Sequence, residues 1–296
     1  MLDYPAMATV AAVVREGTFE RAAAALGITP SAVSQRVRGL EERLGAILIN
    51  RGQPCEATAL GRELCAHYAR VQLLEHDLDP ALGRMPRQAS LPPTLAVAVN
   101  ADSLATWFHT ALSAFARKAT MSLELTVEDE THTANRLRSG EVLAAVSADP
   151  EPVQGCRTTA LGSLRYAACA SLAFMDRYFD QGVNRDSLAQ APYLRFDRRD
   201  TLQARWAREA HQTDLAGPAH LVPSTLGFLD LALSGLGWGL QPLALVSAHL
   251  EAGRLVELKP ASRIDVKLYW KVARLHSGTL DQLTEAVRAA AARKLQ

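Results

Sequence analysis

Ser31, Ser34, Gln35 and Arg38 stand three and four residues apart. On a helix that spacing brings a hydroxyl pair, an amide and a guanidinium to one face. Gln pairs bidentately with adenine and Arg with guanine, so this face has the chemistry to read base edges. Thr29, at the N-cap position, joins the set, while Arg36 and Arg51 are placed to hold phosphates. Residues 30–54 carry four Arg (36, 38, 43, 51) against Glu41 and Glu42, a local +2. The plainer alternative is a three-helix bundle with a solvated polar face.

A second group of polar residues follows apolar runs that read as strands. Asn100-Ala101-Asp102-Ser103 comes after the first of them. Open α/β sheets bind ligands beyond the C-terminal ends of their strands. A helix opening there offers free N–H groups to a carboxylate, with Ser103 as the first candidate contact. The alternative is that Asp102 or Ser103 only caps the helix. Glu128-Asp129-Glu130 ends the second strand. Such a run is ordinarily a solvated loop, but in a cleft it complements a cation. Ser147 and Asp149 follow the third strand, Asp197 follows Phe196, and Ser224-Thr225 opens another helix.

Other chemistries find no support. The four cysteines (55, 65, 156, 169) contain no CxxC pair, which suits neither zinc nor a disulfide framework and points to a reducing compartment. The eight His lack metal spacing, so no metal and no cofactor is expected. GxSxG and a glycine-rich phosphate loop are absent. The run Gly235-Leu236-Gly237-Trp238-Gly239 follows a helix rather than a strand and reads as a turn. Trp107 and Trp270 read as core or pocket-wall aromatics.

The elements that must position these residues change character along the chain. Residues 4–16 place Met7, Val10, Ala11 and Val14 at helical spacing up to Gly17. FERAAAAL (19–26) is a short second helix closed by Gly27. Thr29-Pro30-Ser31 opens a third that runs to about Leu44. Two short helices joined so tightly form a helix-turn-helix. Ile47-Leu48-Ile49 and the turn Gly52-Gln53-Pro54 suggest a small β-wing. From Thr58 a long helix carries Leu60, Leu64, Tyr68, Val71, Leu74 and Leu78 as one apolar stripe, which fits a dimer seam. GRMPRQASLPP (83–93) is a linker. Beyond it, strands and helices alternate, implying parallel βαβ units.

Length and charge frame the same division. The chain has 296 residues, enough for two or three domains, and 32 Lys+Arg against 31 Asp+Glu, so it does not coat nucleic acid by bulk charge. Asp3 stands where a signal peptide would be basic, and the apolar stretch 221–246 is broken by Pro223, Pro242 and four glycines. Neither reads as a targeting or spanning segment, so a cytoplasmic protein without membrane contact is expected.

The run FERAAAALGITPSAVSQRVRGLEERLG closely resembles the DNA-binding segment of LysR-type transcriptional regulators. VNADSLATWF (99–108), VEDET (127–131) and LYW (268–270) resemble the subgroup that activates lysine and arginine exporters. The resemblance covers the whole chain. It implies an α/β class: a winged helix-turn-helix (1–58), a linker helix and hinge (59–90), and a two-lobed, periplasmic-binding-protein-like effector domain (91–296). Lobe I would hold about 91–164 and 268–296, and lobe II about 165–267. The implied partners are a double-stranded DNA operator, a basic amino-acid effector, RNA polymerase, and further copies of the chain in a homodimer that assembles to a homotetramer. The implied effector residues are those of the strand-end loops: Asn100, Asp102, Ser103, Glu128, Asp129, Glu130, Ser147, Asp197, Ser224 and Thr225. One departure stands out: Pro30 occupies a position where many members carry a Gln that reaches DNA, shifting the burden to Ser31, Ser34 and Gln35. A LysR-type regulator with another effector, a solute-binding protein and an α/β enzyme remain as alternatives at this stage.

Overall fold

The computed structural model describes residues 3–82, 93–119, 121–127 and 130–296. The chain opens with α1 (Tyr4–Glu16), α2 (Phe19–Leu26) and α3 (Pro30–Leu44). The side chains of Asp3, Thr18 and Thr29 accept the N–H groups of Ala6, Arg21 and Ala32, capping all three. Met7, Val10 and Val13 of α1, Ala22 and Ala23 of α2, and Val33, Val37 and Leu40 of α3 close on one core. The wing is β1 (Ile49–Asn50) paired antiparallel with β2 (Glu56–Ala57). It begins later than the run Ile47–Ile49 suggests, because Ile47 is exposed while Leu48 and Ile49 turn into the core. The Cys55 N–H donates to the Gly17 carbonyl at 2.7 Å and ties the wing to the α1–α2 turn.

The linker helix is α4 (Ala59–Leu78), started by Thr58, whose hydroxyl accepts the Gly61 N–H. A further backbone bond from Leu82 to Leu78 continues its turn. The rest of the expected linker helix and hinge, from residue 83 to 90, lies outside the described residues.

The remaining elements are β3 (Thr94–Val99), α5 (Ala101–Ser103), a π-helical stretch (Leu104–Phe108), α6 (His109–Ala116), β4 (Ser122–Val127), α7 (Glu130–Ser139), β5 (Ala144–Ser147), β6 (Cys156–Ser171), α8 (Leu172–Tyr178), α9 (Arg185–Gln190), β7 (Tyr193–Arg195), α10 (Leu202–His211), β8 (Ala219–Leu221), α11 (Thr225–Leu233), β9 (Gly239–Pro242), α12 (Leu243–Glu251), β10 (Leu255–Glu257), β11 (Arg263–Ala273) and α13 (Gly278–Lys294). In the first lobe β3 pairs parallel with β4 and β5, as βαβ units demand. Parallel pairing returns in the second lobe, where β7 and β8 flank α10, but the expectation fails for the strands that carry the sheet between them. β6 and β11 run antiparallel along one another from Cys156↔Ala273 to Ala167↔Arg263, and β9 and β10 pair antiparallel with the far half of β6. These two long strands pass from one lobe to the other. They bulge between Leu268 and Tyr269, opposite Gly162, whose φ of 121° suits a residue without Cβ.

Helices cover both faces of this sheet. Trp107, Phe108, Phe115, Trp206, Trp238, Trp270, Leu283 and Val287 belong to one continuous core. Leu137 of α7 packs on Ala98, Ala145 and Cys156 on the opposite face of the first lobe. Phe228, Leu229 and Val246 of α11 and α12 pack around Cys169 in the second. Among the described residues no helix is long and apolar enough to cross a membrane, and no group of His, Cys, Asp and Glu could hold a metal.

Candidate functional site

Two surfaces carry the chemistry singled out in the sequence. The first is the outward face of α3. Val33, Val37 and Leu40 point into the domain core, which leaves the opposite face to solvent. Ser31, Gln35, Arg36 and Arg38 are exposed, and Ser34 is half-buried beside them. Thr29 spends its hydroxyl oxygen on the Ala32 N–H, so it starts the helix and stands at its exposed tip. Arg51 of the wing lies over the Phe19 ring at 5.1 Å, a cation–π contact that holds the wing tip against α2. A polar, solvent-facing helix with a wing that carries Arg51 beside it matches the geometry in which a recognition helix enters the major groove.

The second is the junction where the helix after β3 meets β6 and α11, the position of the expected effector cleft. Asp102, in α5 at the end of β3, turns its carboxylate inward. One oxygen accepts the Tyr166 hydroxyl at 2.7 Å, and the other accepts the Thr225 hydroxyl at 2.7 Å. Tyr166 stands on β6 just past the bulge, and Thr225 is the first residue of α11. An acid from one lobe thus holds two hydroxyls from the other. Burial pushes the Asp102 pKa up, the two hydroxyl donors pull it down, and the nearby Asp200 charge pushes it up again. Burial, Asp102 and Asp200 together hold the Tyr166 phenol well above its ordinary range. A largely desolvated carboxylate with only neutral donors and a second acid close by favours a cationic partner.

The other expected cleft residues divide. The helix cap is Asn100, whose side chain accepts the Ser103 N–H at 2.9 Å; neither Asp102 nor Ser103 caps it. The Ser103 hydroxyl is buried with no hydrogen-bond partner among the described residues, as is the Trp107 indole N–H one turn on. Ser147 is buried and its hydroxyl accepts the Asp149 N–H. Asp197 accepts the N–H groups of Arg199 and Asp200 and so holds its own loop. Ser224 is exposed and caps α11 through the Gly227 N–H. Glu128 and Asp129 lie outside the described residues; Glu130 opens α7, and its side chain lies outside them too.

Tyr166 and Asp200 escaped the sequence reading. Tyr166 sits inside a strand that reads as core. Asp200 lies in the run Phe196-Asp-Arg-Arg-Asp, where Asp197 looked equally suitable. The available signal was position: Asp200 precedes α10 and accepts the Leu202 N–H, as helix-start residues do. Lys271 was missed as well. It is 1% exposed and donates to Asp149 at 3.3 Å and to the Glu151 carbonyl at 2.7 Å, pinning the loop after β5.

The apolar stripe of α4 also divides. Leu64 is buried in the core of the N-terminal domain and Tyr68 packs against it, because the helix leans on its own domain there. Val71 is half-buried, whereas Leu60, Leu74 and Leu78 remain exposed. Leu64 is therefore unavailable to a seam.

Comparison with known proteins bears on both surfaces. Residues 5–62 match the model of the bacterial regulatory helix-turn-helix proteins of the lysR family, and residues 88–292 match the LysR substrate binding domain. The chain belongs to the LysR family of transcriptional regulators. It is 43% identical over 285 residues to the HTH-type transcriptional regulator ArgP of Pseudomonas fluorescens, covering 96% of this chain and 95% of that one. The fold is similar to the crystal structure of ArgP from Mycobacterium tuberculosis, with a TM-score of 0.80, 38% identity and coverage of 100% and 99%. It is also similar to full-length LysG from Corynebacterium glutamicum with bound effector Arg, with a TM-score of 0.70, 37% identity and full coverage of both chains. These LysR relatives are transcriptional regulators rather than enzymes, and this regulator is of the ArgP/LysG type. Its two halves are accordingly a DNA-binding helix-turn-helix and an α/β effector-binding domain.

Proposed function

We propose that this LysR-family regulator senses a basic amino acid, lysine or arginine, between its two lobes and in response activates transcription of an amino-acid exporter gene. The observation that carries the reading is the Asp102 carboxylate, held between lobes by Tyr166 and Thr225, with the charge of a second acid, Asp200, near enough to raise its pKa. A ligand ammonium or guanidinium group answers that charge, while free N–H groups at the cleft helices suit its carboxylate. The arginine bound to the Corynebacterium LysG supports the same ligand class.

α3 would then enter the major groove of a dyad-symmetric operator, with Ser31, Ser34, Gln35 and Arg38 toward base edges and Arg36 and Arg51 toward phosphates. Leu60, Leu74 and Leu78 of α4 form the seam of a homodimer, which pairs again into a tetramer and engages RNA polymerase at the promoter in the cytoplasm. Effector binding shifts the assembly between two shapes by its difference in affinity for them.

A thermal-shift screen of the twenty amino acids, followed by footprinting of the region upstream of the gene, tests this reading. Stabilisation by lysine or arginine alone, together with a changed footprint, is the expected result. A shift with a neutral or acidic amino acid instead would transfer the protein to a LysR regulator of another pathway.

A further inference from the structure

α4 has a third face. Arg62, Ala66, Arg70, Leu73 and Asp77 recur at spacings of four, four, three and four and lie against the first lobe. Ala66 is buried, and Leu73 enters the core of the effector domain. The Asp77 carboxylate accepts the Thr279 N–H at 3.2 Å and its hydroxyl at 2.6 Å, at the start of α13. Arg70 lays its guanidinium across Gly140 in the space a Cβ would fill. Arg62 does two things at once. It donates to the Ala57 carbonyl in wing strand β2 at 2.9 Å and pairs with Glu141 at 3.5 Å. The other Glu141 oxygen takes Arg136 of α7 at 3.3 Å.

Gly140 and Glu141 directly follow α7. β4 ends at Val127, in parallel register with Val99 at the strand end that leads into Asp102, and α7 starts three residues on and spans ten residues, about 15 Å at 1.5 Å per residue. A stiff helix therefore joins the strand ends beside Asp102 to the residues that hold α4 and, through Arg62, the wing. Leu73 and Asp77 anchor α4 to the effector domain further along, while the Arg62–Glu141 pair next to the wing is ionic and part-exposed: Arg62 keeps 50% and Glu141 27% of their side-chain surface. Such pairs are individually weak and reversible, unlike an apolar core, and domain faces of this kind separate readily.

We infer that the Arg62–Glu141 and Arg70–Gly140 contacts form a releasable dock through which α7 sets the position of the DNA-binding domain according to the state of the effector cleft. Glu141 and Arg70 are positioning residues; neither touches the cleft or the α3 face. A movement of lobe I at the cleft tilts α7, loosens or tightens the dock, and changes how the two wings of a dimer are spaced. The inference rests on the effector reading above for the identity of the ligand, but the dock itself is independent of it.

The test uses the full-length chain with Glu141→Gln and, separately, Arg70→Ala. Arginine and lysine affinity is measured by calorimetry, operator affinity with and without saturating ligand by fluorescence anisotropy, and hydrogen exchange over residues 49–57 and 62–77 by mass spectrometry. The expected result is ligand affinity within twofold of the parent, a ligand-induced change in operator affinity reduced at least threefold, and faster exchange in 62–77. A parent-sized response in both variants overturns the inference, as does a loss of ligand binding, which would place these residues in the pocket. If the parent itself ignores arginine and lysine, the effector reading fails. The exchange arm then decides the dock alone, with unchanged protection of 62–77 counting against it.

Discussion

The Asp102 carboxylate of the first lobe accepts the Thr225 hydroxyl of the second at 2.7 Å. This contact joins residues 123 positions apart and, with the Tyr166 hydroxyl, engages both oxygens of an acid that makes no salt bridge among the described residues. In the proposed reading this acid is the group that meets the charge of a basic amino acid. The ligand's charge and the lobes' relative position then bear on the same group.

Asp102→Asn keeps the shape and one acceptor but removes the charge. Hydrogen bonds to charged groups contribute roughly 1.5–3 kcal/mol, so arginine or lysine affinity is expected to fall about 10- to 100-fold. Thr225→Val, which removes a neutral donor, should cost about 0.5–1.5 kcal/mol. Calorimetry on the full chain measures both. Parent-like affinity in Asp102→Asn removes this residue from the pocket.

The same variant has a pH signature. Burial first, and Asp200 after it, raise the pKa of Asp102 in the folded chain above that of an unfolded Asp, near ~3.9. The folded state therefore holds this proton more tightly than the unfolded state. The group's favourable contribution is complete below the unfolded pKa and is lost as pH rises through the folded one. Asp102→Asn, which does not titrate, is expected to melt above the parent at neutral pH, with the gap closing on acidification. Melting curves between neutral pH and about pH 4 read this directly, and a gap that stays constant with pH would point to another cause.

On the DNA side, Gln35→Ala or Arg38→Ala should each cost about 1–3 kcal/mol of operator binding and relax sequence preference at one position of each half-site. Arg51→Ala, at the wing, should weaken specific and non-specific binding alike and lower the salt slope by about 1. Anisotropy titrations at several salt concentrations separate the two behaviours. A salt-slope change with Gln35→Ala would contradict a base-reading role.

For assembly, Leu78→Glu and Leu74→Glu alter exposed positions of α4 and should yield monomers by sedimentation while the melting temperature holds. Leu64→Ala acts differently. It hollows the N-terminal core and should destabilise that domain by about 2–5 kcal/mol without changing the oligomer. A dimer that survives both charge substitutions would move the seam elsewhere.

Much of this architecture can be read in the sequence because it rests on local rules. Thr29, Pro30 and Gly45 mark the ends of α3, and the helix lies between them. The turn at Gly27 follows from a backbone that needs positive φ, which glycine adopts freely. Asn100 and Ser224 were correctly placed at helix starts. Their role there is to cap the helix, a use of the side chain that the sequence leaves open. Strand direction was harder. The first half of β11 alternates charged and apolar residues, which marks a half-exposed strand but not its partner, so its antiparallel pairing with β6 across two lobes is not a local property.

The amphipathic helix α4 illustrates the same limit. Its leucines fit a single seam by spacing. In the folded chain the helix meets three neighbours, and each claims a face: Leu64 for the N-terminal core, Leu73 for the effector core, Leu74 and Leu78 for solvent. Periodicity reports that a side chain is apolar and where it lies around the axis, but not which neighbour occupies that direction.

By itself the sequence determined the two-part plan of this regulator, the polar face of its recognition helix and the acid that opens the helix after the first effector strand, since periodicity, caps and motif act over a few residues. Only the tertiary structure decided that Asp102 meets Tyr166 and Thr225, that Asp200 rather than Asp197 stands near it, and that Glu141 reaches Arg62. Those pairs join residues far apart in the chain, and long-range pairing follows from how the lobes pack around a shared core, which no local pattern encodes.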